Sequence, residues 1–314
     1  MRIIRLTYPF QPKELEFLDS RHILTIGYFD GVHLGHQALI NRTKELARLR
    51  NLPSSIMTFH PHPREVLGHV KNARYITPFN EKLKQFERLD VDHTFILTFD
   101  DVLSKLSPEA FIDQVLIPLR VDSVVVGFNF TFGHLGKGTT DLLRDYAGER
   151  FDVSVVRPVH LDDVRVSSTL IREQLHSGHM QTVRDLLGRP YHVTGNVVQG
   201  EGRGHTIGIP TANLKLDAPY ALPPNGVYAV RVILEGSVYQ GVLNIGRKPT
   251  FHESFQTSLE VHIFDFSRTI YGQRLDIEFQ AFLREERKFA SPGQLVEQIR
   301  RDMEQAKTLL GSLQ

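Results

Sequence analysis

Apolar and polar positions change rhythm once along these 314 residues. From residue 21 to about residue 187, short apolar runs alternate with stretches whose apolar positions recur every three or four residues. That alternation predicts strands followed by amphipathic helices. Runs at 22–26, 54–59, 93–99, 121–127 and 153–158 predict strands, and periodic stretches at 34–50, 80–89, 108–119 and 139–148 predict helices. In the helix over 34–50, Leu39, Ile40, Leu46, Ala47 and Leu49 read as the apolar face. Runs such as S-V-V-V-G are apolar on both faces, as a parallel sheet covered by helices requires. The fold class is α/β: an open, doubly wound parallel sheet whose ligands bind at the carboxyl ends of strands.

From Gly188 the rhythm becomes period two, broken often by Gly, Pro and Asn, as in H-V-T-G-N-V-V-Q-G and G-V-Y-A-V-R-V-I-L-E-G. This pattern predicts a small antiparallel β-barrel. The chain closes on a helix, with Ser291 as N-cap, Pro292 at the first helical position and Gln294 completing a capping box. The change of rhythm falls in L-G-R-P, which divides the chain into domains 1–187 and 188–314. No internal repeat or low-complexity linker interrupts it.

Composition narrows the function classes. Lys+Arg 37 against Asp+Glu 36 leaves a net charge of +1, which offers nothing to a nucleic acid or a membrane surface. Cysteine is absent, so disulfides, thiolate metal sites and a cysteine nucleophile are excluded. No apolar run approaches the ~18 residues of a membrane span, and the N-terminus lacks a signal-peptide pattern. The expectation is a cytoplasmic enzyme acting on small molecules, as a monomer or weak homo-oligomer.

Candidate chemistry gathers at four predicted strand ends of the first half. G-Y-F-D-G-V-H-L-G-H (27–36) joins strand to helix and brings glycine backbone, helix N-terminal N–H groups and two imidazoles together. T-F-H-P-H-P (58–63) leaves the second strand, V-G-F-N-F-T-F-G (126–133) the fourth, and S-S-T-L-I-R (167–172) opens a helix after the fifth. Taken alone, S-S-T reads as an N-cap and F-N-F-T-F as core aromatics. Together they describe a cleft with phosphate donors and flat apolar surfaces.

The second half holds G-E-G-R-G-H-T-I-G-I-P-T-A-N-L (200–214), a glycine-rich flap able to close on phosphate, with Arg203 as a charged donor. No G-K-[ST] follows, so it is not a P-loop. Thr211 and Asn213 offer two neutral oxygens on one side of an extended segment, which suits Mg²⁺ shared with nucleotide phosphates. In S-L-E-V-H-I-F-D-F, Glu260 shares a strand face with residues 258 and 262, opposite Leu259, Val261 and Ile263.

The four N-terminal stretches resemble the FMN adenylyltransferase module of prokaryotic bifunctional riboflavin kinase/FAD synthetases, within the H-x-G-H nucleotidylyltransferase superfamily. The resemblance implies that Gly27, Asp30, His33, His36, Asn129, Ser168 and Arg172 bind ATP, with His33, His36 and Arg172 catalytic. It implies Phe59, His62, Asn129 and Phe132 on the flavin side. His60 stands where many relatives carry an acidic or small polar residue. The G-x-G-R-G, P-T-A-N, S-L-E-V-H-I-F-D-F and L-R-E-E-R-K-F stretches resemble, in order, the riboflavin kinase module of the same family. That likeness implies Gly202, Arg203, Gly204, Thr211 and Asn213 at ATP, Thr211 and Asn213 at magnesium, and Glu260 as catalytic base. The implied reactions are riboflavin + ATP to FMN + ADP in the barrel, and FMN + ATP to FAD + pyrophosphate in the sheet domain, with Mg²⁺ as cofactor. Two other readings remain open: a nucleotidylyltransferase for another phosphate acceptor, and a flavin-binding regulator.

Overall fold

The computed structural model describes the chain apart from residues 17, 19, 69, 71, 201–203, 205–207, 250–254 and 313–314. It divides into two compact units, Met1–Ser168 and Thr169–Gln314.

In the first unit, β1 (Arg2–Leu6), β2 (His22–Ile26), β3 (Ser54–His60), β4 (His93–Thr98), β5 (Val121–Gly127) and β6 (Asp152–Val156) form one sheet. Its order is β1-β4-β3-β2-β5-β6, parallel at every pairing. The helices are α1 (Pro12–Leu15), α2 (Leu34–Arg50), α3 (Pro63–Val66), α4 (Phe79–Arg88), α5 (Asp101–Ser104), α6 (Pro108–Phe111) and α7 (Thr140–Ala147). A hairpin of β7 (His160–Leu161) and β8 (Val164–Arg165) follows, and α8 (Ser168–His176) starts on the last residue of this unit and otherwise belongs to the second. Beyond β2 the chain winds outward through β3 and β4, then returns to the other side of β2 for β5 and β6. The reversal parts the loops that follow β2 and β5 and opens a crevice there.

Both sheet faces are buried. On one, Leu24, Met57, Phe95, Val124 and Val126 pack with Ile112, Val115, Leu116 and Leu143. On the other, Ile56 packs with Ile40 of α2 and Phe86 of α4, and Ile23 and Val125 with Ala47. The doubly wound reading therefore holds, with three local departures. The sheet gains β1, a short edge strand half exposed to water. Leu49 of α2 is 68% exposed, because the inward row of that helix is Ile40, Thr43 and Ala47, and Leu49 lies about 200° round from Ala47. The helix expected over 108–119 begins as α6 and widens into a π-turn over Ile112–Leu116, where Ile117 N–H donates to the Ile112 carbonyl at 3.0 Å. That wider turn carries Ile112, Val115 and Leu116 into the core together.

The second unit contains α9 (Met180–Leu187), β9 (Tyr191–Val198), β10 (Ala212–Leu216), β11 (Gly226–Leu234), β12 (Ser237–Pro249), β13 (Phe255–Ile263), β14 (Arg274–Arg284) and α10 (Pro292–Gly311). The six strands close into an antiparallel barrel, β10-β13-β12-β11-β14-β9. Tyr191, Val193, Tyr228, Val230, Leu243, Val261 and Phe279 fill it, with the Tyr228 and Phe279 rings edge to face at 5.2 Å. Its outer face carries Val227, Ala229 and Val242, which pack against Ala306 and Leu310 of α10.

Ser291 caps α10 as expected, its hydroxyl accepting from the Gln294 N–H at 3.3 Å. The Gln294 side chain reaches the Ala290 N–H, one residue short of a full capping box. Arg284 fixes α10 to β14 by donating from Nε and Nη2 to the Asp302 carboxylate at 2.7–3.0 Å. The Asp302 side chain is only 3% exposed. Removing one partner of such a pair leaves an uncompensated buried charge.

At the amino ends of the strands, His22 is 1% exposed. Its Nε2 lies 2.8 Å from the Leu119 carbonyl and must donate to it, and its Nδ1 has no partner. Burial, with His93 nearby, pushes its pKa down to about 4. The imidazole is therefore neutral when folded and protonates more readily when unfolded. Stability is fully retained above the unfolded value near 6.5, falls as pH drops from there toward about 4, and levels off below. The loss should approach about 3 kcal/mol from this group. Urea unfolding of the first unit between pH 7.5 and 4.5 is expected to show that slope in the native chain and a flatter one in His22→Leu. Equal slopes would remove His22 from the acid response.

Candidate active sites

The ten-residue stretch from Gly27 occupies the turn between β2 and α2, at the mouth of the crevice. Phe29 (φ +58°), Gly31 (φ +90°) and Val32 (φ +43°) all lie in the left-handed region. For a β-branched valine this is costly, and residues held so cost roughly 1–3 kcal/mol each. The turn persists because its polar groups are tied from several sides. Val32 N–H donates to the Phe29 carbonyl at 3.2 Å, and the Gln37 side chain donates to the Val32 carbonyl at 2.9 Å. The Asp30 carboxylate accepts from the Thr77 N–H at 3.1 Å, while the Asp30 carbonyl accepts from the Ser168 hydroxyl at 2.9 Å. Gly27 closes β2 by donating to the Met57 carbonyl at 3.1 Å.

His33 is the N-cap of α2. Its Nδ1 accepts from the His36 N–H at 3.3 Å, so in the neutral ring the proton sits on Nε2, which becomes a donor. The His33 and His36 rings stack at 3.6 Å with planes 16° apart, and His36 stands edge to face on Phe29 at 5.2 Å. The glycine of H-x-G-H has a steric reason: a Cβ on Gly35 would meet His33 Cε1 at 3.1 Å and Nδ1 at 3.2 Å. The turn thus presents two ordered imidazoles over the N-terminus of a 17-residue helix. That is an anion site by geometry and by dipole.

Around the turn the structure gathers His60 and His62 with three residues that the sequence patterns did not single out, Tyr28, Tyr75 and Lys82. Tyr28 lies against His62 at 3.9 Å between ring centroids, and His62 against Tyr75 at 6.0 Å. His62 caps α3, its Nδ1 accepting from the Arg64 N–H at 3.0 Å. His60 stacks on Phe79 at 4.2 Å. Burial holds both histidines below their ordinary pKa. Tyr75 hydrogen-bonds the Glu65 carboxylate, and burial with that contact raises its pKa. Lys82, from α4, is 1% exposed and donates to the Tyr28 carbonyl at 2.8 Å and the Thr58 hydroxyl at 3.1 Å.

At the end of β5, Asn129 is exposed and Phe128 is 42% exposed. Phe132 is not brought to the surface: it is 7% exposed, between Phe111 and Phe130, with its backbone bridged to Gly138. Phe59 is half-buried, edge to face on Phe99 at 6.0 Å. Arg172 lies one turn beyond Ser168 within α8.

In the barrel unit the register places Glu260 between Asn213 of β10 and Asn244 of β12, so the three side chains form a row on the outer face. Leu259, Val261 and Ile263 turn inward. Thr211 precedes this row, and the His262 ring nitrogen donates to the Pro210 carbonyl at 2.7 Å, tying the P-T-A-N segment to β13. A Cβ on Gly200 would come within 2.1 Å of the Asn213 amide, and one on Gly204 within 3.2 Å of the Thr211 hydroxyl. Glycine here lets the backbone approach this segment more closely than any side chain would allow, and Thr211 and Asn213 offer two neutral oxygens, a donor set that suits Mg²⁺. Gly202 and Arg203 lie outside the described residues. Glu286 was also missed by pattern: it accepts from Asn225 at 3.2 Å and Asn244 at 3.4 Å. Its only sequence signal is a second carboxylate in L-R-E-E-R-K-F.

Comparison with known proteins bears on both units. A family model for FAD synthetase matches residues 16–170, and one for riboflavin kinase matches 187–310. A Bacillus subtilis bifunctional riboflavin kinase/FMN adenylyltransferase is 42% identical over 98% of this chain and 97% of its own. One from Haemophilus influenzae is 39% identical over 92% and 94%. A solved structure described as a macrolide-efflux protein from Streptococcus pneumoniae superposes with a TM-score of 0.87 at 32% identity, covering 97% of this chain and 99% of that one. Efflux is said of that protein alone. Among the described residues here no helix is long and apolar enough to cross a membrane.

Proposed function

This chain belongs to the bifunctional riboflavin kinase/FMN adenylyltransferase family, and from that premise we propose a role for each residue of its two sites. The activity is the pair of transfers: riboflavin to FMN with ATP, and FMN to FAD with a second ATP. We assign residues 1–187 to the second transfer and 188–314 to the first.

In adenylyl transfer an oxygen of the FMN phosphate attacks the α-phosphorus of ATP and pyrophosphate leaves. The nucleophile is already an anion, so no general base is required. What the protein supplies is alignment and donors to the charge that builds on the phosphates. His33 Nε2–H, His36 and the first N–H groups of α2 are those donors, and the family resemblance adds Ser168 and Arg172 as phosphate contacts. Gly27 and Asp30 hold the turn, and Asn129 orients the nucleotide at the end of β5. Phe59 and His62 face the flavin, with Phe132 behind them as buried support. The stacked, capped His33–His36 pair carries this reading, because one positioned donor to developing charge is worth roughly 3–4 kcal/mol.

In the kinase step the acceptor is a neutral primary alcohol, which gains from a base. Glu260 takes the hydroxyl proton as the oxygen attacks the γ-phosphorus and ADP leaves. Asn213 and Asn244 flank the carboxylate, and Glu286 fixes Asn244. Thr211 and Asn213 would hold Mg²⁺, which neutralises phosphate charge when bound. Gly202, Arg203 and Gly204 belong to the ATP-facing flap in this assignment. We further place this enzyme in the cytoplasm, as a monomer or weak homo-oligomer with small-molecule partners; a net charge of +1 offers no general attraction to nucleic acid or a membrane surface.

Chromatography of riboflavin, FMN and FAD over time separates the roles. Glu260→Ala is expected to abolish FMN formation and leave FMN-to-FAD conversion intact, whereas His36→Ala stops the product at FMN. Loss of both steps in either folded variant would sink the two-site assignment. Gly35→Ala, by pushing the His33 ring aside, should slow FAD formation about tenfold or more with riboflavin phosphorylation unchanged. A native rate of FAD formation in this variant would show that the ring's place does not matter. Thr211→Val should raise the magnesium concentration needed for phosphorylation; a loss that no magnesium concentration restores would assign Thr211 to packing.

A further inference from the structure

We propose that Lys82 is a positioning residue of adenylyl transfer: its ammonium pins the Tyr28 carbonyl, and through it the left-handed turn that aims His33 and His36. The proposal rests on the assignment of that turn to adenylyl transfer. Tyr28 immediately precedes Phe29, where the backbone enters the left-handed region. Its carbonyl accepts twice, from Lys82 Nζ at 2.8 Å and from the Thr58 hydroxyl at 3.1 Å, and Nζ also donates to that hydroxyl at 3.1 Å. The three groups close a triangle that ties β2 and β3 to α4 where the crevice opens. Nζ also lies 4.0 Å from the centre of the Tyr28 ring and 5.7 Å from that of Phe79.

Burying an ammonium costs several kcal/mol, and among the described residues no carboxylate pairs with this one. A methionine would fill the same space without that cost. What an ammonium adds is strong donation to a carbonyl and a positive charge beneath a phosphate site. The charge state is set locally. Tyr28 and Asp30 face it from the turn, and His60 at the end of β3 and His62 in the loop beyond face it from the other side. On its own helix, Glu81 is paired with Lys84 at 2.8 Å. Burial outweighs the pull of Asp30 and brings the Lys82 pKa down to about 7. The ammonium is therefore present below neutrality and lost as pH rises through that value. Adenylyl transfer should carry a descending limb there that riboflavin phosphorylation lacks.

The test uses the full chain, with kcat/KM for FMN adenylylation followed from pH 6 to 9 and riboflavin phosphorylation as internal control. Lys82→Met is expected to lower adenylylation about 100-fold at neutral pH and erase the limb, with phosphorylation unchanged. Lys82→Arg, charged throughout, should recover at least about a tenth of the native rate and show no limb. Thr58→Val keeps the lysine but deletes an acceptor, so its limb should move to lower pH. Adenylylation in Lys82→Met within about threefold of native would overturn the proposal. So would an unmoved limb in Thr58→Val, which decides the matter even if Lys82→Met fails to fold. His36→Ala separates the premise: retained adenylylation there sinks the assignment of the turn, whereas its loss beside an indifferent Lys82→Met sinks the lysine alone.

Discussion

A backbone turn that its own residues disfavour is the constraint on which the first unit depends. Phenylalanine and valine do not adopt positive φ without cost, and here both do so within four residues. The cost is met by the surroundings. A threonine amide from the approach to α4, a serine hydroxyl from the start of α8, a glutamine from α2, and the Lys82–Thr58 pair each satisfy one polar group of the turn. Each such bond is worth about 1 kcal/mol net, comparable to the strain it opposes. The result is a rigid hook that delivers one histidine as a helix cap and stacks a second upon it.

The two sites solve different problems on different surfaces. In the proposed assignment the sheet unit receives an anion that reacts with another phosphate, so helix N–H groups, imidazoles and hydroxyls serve it. The barrel unit receives a neutral alcohol, which a carboxylate would serve. Tyr191, Tyr228, Phe279 and aliphatic side chains fill the barrel, so the proposed chemistry stands outside, where the register puts Asn213, Glu260 and Asn244 in one outward row. The same face carries the apolar positions that seat α10.

Much of this was readable in the sequence. The strand at 22–26 and the helix at 34–50 have the limits that periodicity assigns them, because each is a fully regular element bounded by clear turn chemistry. β1 was not readable, since five residues with three exposed give too little alternation to separate an edge strand from a loop. Lys82 was hidden for another reason. In N-E-K-L-K-Q-F-E-R it looks like part of a solvated charged face, and only the tertiary structure shows that this lysine turns inward while Lys84 turns out. The H-x-G-H motif announced itself, but the reason for its glycine did not. That reason is a contact between Gly35 and the ring two residues before it, which no spacing encodes.

The edge strand has one further consequence. An open sheet ends in a row of unpaired backbone groups that could recruit a neighbouring chain into a growing aggregate. β1 forms that border here, and it is five residues long, with Arg2 and Arg5 exposed along it. Two like charges on so short a border make edge-to-edge joining unfavourable, since a second copy would bring its own pair against them. A strand that adds only Ile4 and Leu6 to the core thus guards the colloidal behaviour of this edge of the sheet.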